Sequence, residues 1–122
     1  MASPDWQRVQ TPSGASLAVP PGLIAANVHG VDSPVQIWSG EGVEVLVDAS
    51  PMSDRLERHE GSEEVISGHR ARVVDFPDAC THVYAAHFEE PALTVVVRTL
   101  RPEAASVAKT ILASLAFSDQ GG

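Results

Sequence analysis

The sequence predicts an α+β domain in which an antiparallel β-sheet, led by an N-terminal β-hairpin, carries a C-terminal helix. Two observations predict it. Short runs with apolar residues at alternate positions are separated by Gly- and Pro-bearing turns along most of the 122 residues, the mark of half-buried strands. Beyond Arg101 the period changes: Ala105, Ala108, Ile111, Leu112 and Leu115 recur at spacings of three and four, which is one face of a helix. A chain of this length hides about two thirds of its surface on folding, enough for one core. Residues 1–122 therefore read as a single domain with its core at about 6–117.

Trp6 to Gln10 and Ala15 to Val19 flank the turn cluster Thr11-Pro12-Ser13-Gly14 and make the leading hairpin. Leu23 to Ala26 is too short to assign, and a loop follows through Gly30, Asp32 and Pro34. Val35 to Trp38 and Val43 to Asp48 flank Ser39-Gly40-Glu41-Gly42, whose glycines take the positive φ of tight hairpin turns. Asp54 to His59 has room for one or two helical turns. Glu63 to Ser67 and His69 to Phe76 form an extended pair about Gly68, although the first run also suits the end of a helix.

Thr81 to Phe88 and Leu93 to Leu100 are joined by Glu89-Glu90-Pro91-Ala92. Pairing Phe88 with Leu93 sets Ala86 opposite Val95, Tyr84 opposite Val97 and His82 opposite Thr99, all on the face the helix covers. The other face, with Val83, Ala85 and His87 beside Thr94, Val96, Arg98 and Leu100, is half apolar and asks for partial cover by a second layer. Pro102 then opens the helix at its favoured first position, and the apolar stripe carries it to Leu115.

Sixteen acidic residues against eight basic ones give a formal charge of -8, and Lys109 is the single lysine. A phosphate backbone is bound by a basic surface that releases counterions, so nucleic acid is excluded as an expected partner. No apolar run approaches the roughly 20 residues that span a bilayer, so no membrane insertion is expected. Met1-Ala2-Ser3-Pro4-Asp5-Trp6 has neither a basic nor an apolar signal region, which reads as cytoplasmic; the alternative is an exported mature domain whose signal has been removed. The lone Cys80 forbids an internal disulfide but fits either compartment.

The order of elements resembles a family. A leading hairpin, Leu17-Ala18-Val19-Pro20-Pro21-Gly22-Leu23, a Val-rich strand ending in Asp48-Ala49-Ser50-Pro51, an extended segment through Gly68, two long strands, and a closing run with Ala108, Ile111, Leu112, Ser114, Leu115 and Phe117 look like the PsbP-like superfamily. That superfamily holds a photosystem II extrinsic subunit, a Ran-binding import factor, bacterial lipoproteins and secretion chaperones. The resemblance implies an α/β/α sandwich with helices packed on both faces of the sheet, and a domain that binds protein and carries no catalytic residue. The chain departs from the lipoproteins in having no lipobox cysteine near Met1.

Cys80, His82 and His87, with Asp75 and Asp78 upstream, are the densest set of metal-ligand types. Sulfur with imidazole suits zinc or copper, but His87 has the opposite strand parity to Cys80 and His82. The reading preferred is a small apolar Cys80 and a sheet-bound His82, with no metal and no cofactor. Arg55, Arg58, Arg70 and Arg72, interleaved with Glu57, Glu60, Glu63 and Glu64, form either a site for carboxylates, since Arg70 and Arg72 share a face, or a solvated edge. The solvated edge is preferred. Glu63-Glu64 and Glu89-Glu90 make no acid/base pair, and no nucleophile elbow, phosphate loop or zincin motif is present.

Trp6 and Trp38 are the large anchors among six aromatic residues; core packing is their preferred role, and Trp38, before the glycine turn, is expected to be the more exposed. The leading functional reading is a non-enzymatic protein-binding or accessory, chaperone-like domain, monomeric or weakly dimeric. Its candidate partner surface is Trp38, Arg55, Arg58, Arg70 and Arg72. The alternative is a small-ligand or metal-binding protein using Cys80 and His82, and a small enzyme comes third.

Overall fold

The computed structural model describes residues 6–10, 15–25, 35–40, 42–49, 60–79, 81–89, 92–101 and 104–117. The expected loop through Gly30, Asp32 and Pro34 and the helical turns expected at Asp54 to His59 lie outside them.

Ten strands and one helix follow in the order β1 (Gln7–Gln10), β2 (Ala15–Val19), β3 (Ile24–Ala25), β4 (Val35–Gly40), β5 (Val43–Asp48), β6 (Gly61–Ile66), β7 (His69–Asp78), β8 (Thr81–Glu89), β9 (Ala92–Thr99), α1 (Ala105–Ala113) and β10 (Ala116–Phe117). They build a seven-stranded antiparallel sheet, β3-β4-β5-β9-β8-β7-β6, and a three-stranded one, β1-β2-β10. The expected α/β/α sandwich is thereby corrected: the fold is mostly β, with one short helix among the described residues. The reason lies in the pattern, since three-and-four spacing persists over a single segment while alternation recurs along most of the chain.

The hairpin turns follow from local chemistry. Gly40 pairs with Val43, so the β4–β5 turn has two residues, and Gly42 takes φ +78° there. Ile66 pairs with His69, and the intervening Ser67 and Gly68 have φ +51° and +82°, the two positive angles of a turn whose twist matches the strands. The β8–β9 register sets His82, Tyr84, Ala86 and Phe88 against Thr99, Val97, Val95 and Leu93, as the sequence predicts.

Alternation then sorts the sheet into two faces. One carries Val43, Val45 and Val47, Phe88 and Ala86, Leu93, Val95 and Val97, packed in one core with Ala108, Ile111 and Leu112 of α1 and with Leu17 and Val19 of β2. The cover on that face is therefore helix and small sheet together. The opposite face gathers Val74, Val83 and Ala85 into a separate cluster with Phe76 and Val96.

The small sheet forms where α1 ends. Phe117, expected inside the helix, instead lies in β10 opposite Ala15, its ring 4.9 Å from that of Phe88. Ser114 makes the switch: its Oγ accepts the Ala18 N–H at 2.8 Å and donates to the Ile111 carbonyl at 2.6 Å. Arg8 donates to the Ser114 carbonyl at 3.2 Å and to Ser16 Oγ at 2.9 Å. The Ser67 hydroxyl donates to the Leu115 carbonyl, anchoring the β6–β7 turn to the same place. No helix of the described residues is long and apolar enough to cross a membrane.

Candidate functional site

Two surface features stand out once the faces are assigned, one at an edge of the large sheet and one at its end. The edge is β6, which has β7 on one side only. Five of its six residues are exposed, including Val65 at 70%. Glu63 lies opposite Arg72, Val65 opposite Arg70 and Glu64 opposite Ala71. By parity Glu63, Val65, Arg70 and Arg72 share the face away from α1, whereas Glu64 points with Ser62, whose hydroxyl it accepts at 3.0 Å.

The end feature is an open pocket of about 360 Å³ lined chiefly by Thr81, His82, Tyr84, Thr99, Leu100 and Arg101. His82 Nε2 lies 3.2 Å from Asp75 Oδ1. Asp75 sits opposite Tyr84, so this is a diagonal contact across the β7–β8 pair. The imidazole also leans on the Tyr84 ring, with centroids 4.7 Å apart and planes tilted by 41°. Thr99 Oγ1 donates to the His82 carbonyl at 3.3 Å, tying the pocket floor across β8 and β9. Leu100, 62% exposed, forms a wall, and its N–H donates to the Gly42 carbonyl at 2.9 Å. Arg101 follows it, exposed, with Nε 3.4 Å from where a Cβ on Gly42 would sit. A hollow on the other side of Leu100, about 280 Å³, is bordered by the Arg98–Glu44 ion pair at 3.1 Å.

No protein-family model matches the chain, and no curated protein does either.

The sequence candidates divide accordingly. Trp38 is buried at 7% exposure, opposite Val45 and Ala25 and inside the main core. The expectation that it is the more exposed tryptophan is corrected, because β3 adds a strand outside β4 and Trp38 faces inward. Trp6 is half-buried against the same core. Arg70 and Arg72 do share a face at the β6–β7 edge, Arg70 exposed and Arg72 half-buried. Arg55, Arg58 and Cys80 lie outside the described residues.

His82 and His87 point through opposite faces, as parity requires. His87 is buried and its Nδ1 lies 2.7 Å from Thr94 Oγ1. Among the described residues no three His, Cys, Asp or Glu side chains converge as metal ligands would. Sequence reasoning missed the company of His82, namely Tyr84 and Arg101. A signal existed: placing Thr99 opposite His82 carries the chain past the sheet end directly beside it, so Arg101 had to emerge there.

Proposed function

We propose that the domain binds protein, accepting an extended segment of a partner along the free side of β6 as an added strand. The observation that supports this reading is the edge itself, a six-residue strand with a neighbour on one side only. Its outward N–H and C=O groups form a template for backbone pairing, and side chains then choose the partner.

Charge and polarity specify the occupant. Glu60, Glu63 and Glu64 have no base within ion-pair distance among the described residues, and Val65 adds an exposed apolar side chain beside them. The fitting segment sets Lys or Arg opposite Glu63 and Glu64 and an apolar residue opposite Val65. A second copy of β6 is disfavoured, since antiparallel self-pairing centred on the strand sets Glu63 against Glu64.

An eight-residue fluorescent peptide containing Val-Lys-Lys-Val is expected to bind the intact chain and to protect β6 amides from hydrogen exchange. E63K/E64K replaces two attractions with repulsions and is expected to weaken binding about tenfold, from roughly 0.2–1 kcal/mol per cross-strand pair. Equal affinity for a peptide with Glu in place of both Lys, or protection appearing only on other strands, would sink the reading. Concentration-dependent dimerisation through β6 would make a second copy the occupant instead.

A further inference from the structure

We propose that the pocket at the end of β8 and β9 is a separate binding site for a small organic monoanion with a planar apolar body, in chemical class an aromatic carboxylate. Arg101 holds the carboxylate while the ring lies against the His82–Tyr84 pair and Leu100.

The charged groups set the head group. Arg101 is exposed and has no carboxylate within ion-pair distance among the described residues. A guanidinium presents a planar fork of donors that matches a carboxylate. The one acidic side chain at the pocket, Asp75, is engaged with His82 Nε2 at 3.2 Å. One positive charge with a carboxylate nearby, on a chain of net charge -8, favours a ligand bearing a single negative charge over a dianion.

The wall sets the body. The tilted His82–Tyr84 pair offers ring surface of the kind that packs offset or edge-on against another ring. Leu100 is one of the large apolar side chains left most exposed, and a ligand ring seated here would remove part of it from water. The volume of about 360 Å³ lies at the small end of ligand pockets. Asp75 holds the imidazole in place and Thr99 holds the strand beneath it, so the wall exists before the ligand arrives.

Benzoate is the probe, followed by the amide NMR signals of the full chain. Saturable shifts are expected at residues 81–84 and 99–101, with a Kd of about 1 mM, the affinity typical of a ligand of this size. Benzamide, which keeps the ring and loses the charge, and inorganic phosphate, which keeps charge and loses the ring, are each expected to bind at least tenfold more weakly. R101Q and L100E, both at exposed positions, are expected to retain the wild-type circular dichroism and lose at least tenfold in benzoate affinity, whereas E63K/E64K leaves it unchanged. Shifts scattered over the surface, phosphate binding as well as benzoate, or R101Q binding undiminished would each overturn the proposal.

Discussion

Truncating Phe88 to alanine is expected to cost about 3–5 kcal/mol, the range for deleting a buried aromatic ring. Phe88 is fully buried at the meeting point of β8, β9 and the small sheet, opposite Leu93 and Ala71 and edge-on to Phe117. Neighbours on three elements cannot all collapse into the space it leaves, so the cavity adds to the lost transfer energy. Domains of this size hold about 5–15 kcal/mol in total, and the melting temperature should fall by roughly 10–20 °C. Urea unfolding of the variant measures it. Val65→Ala, at an exposed edge position, should stay within about 0.5 kcal/mol. A Phe88→Ala loss below about 1.5 kcal/mol would mean that the core does not close around this ring.

Gly40→Ala is the second large effect, about 2–4 kcal/mol from strain and overpacking together. Gly40 has φ +150°, and a Cβ there would lie 2.6 Å from the Gly22 carbonyl oxygen and 3.4 Å from Leu23 Cδ2. The nearest obstacle is backbone, so relief requires moving the turn that leads into β3. Gly68 offers the comparison. Its φ of +82° is also positive, but a Cβ there meets nothing within 4 Å, and Gly68→Ala should cost only the left-handed conformational penalty of about 1–2 kcal/mol. Equal urea midpoints for the two variants would show that the approach of Gly22 to Gly40 contributes nothing.

The parts of the fold legible in the sequence are those fixed by neighbours along the chain. The β8–β9 register follows once the turn is placed, and the Val43, Val45, Val47 alternation announces a face that is indeed buried. Phe117 was illegible because helix spacing continues to it, and α1 stops earlier only because the Ser114 hydroxyl is claimed by the Ala18 N–H, far away in sequence. Trp38 was misjudged for a related reason: nearness to a turn suggests exposure, but its face is decided by pairing with Val45 and Ala25. Of the two sites, the Arg70 and Arg72 edge was partly visible as a charge pattern. That Glu63 and Val65 stand on a free edge depends on strand order, and strand order is a long-range property on which local periodicity is silent.

The seam between β5 and β9 has a kinetic consequence. From Gly61 to Thr99 the chain runs as consecutive hairpins β6-β7-β8-β9, each closed by a short turn, whereas Asp48 in β5 must find Thr94 in β9 across most of that meander. Closing a long loop spends chain entropy before any contact repays it, so the seam is the step that should limit the rate. Val47→Ala, opposite Val95 on that seam, is then expected to act mainly on the folding limb of a urea chevron, with slower refolding and little change in unfolding. The opposite partition would place the barrier within the meander, with β5 docking only after it has been crossed.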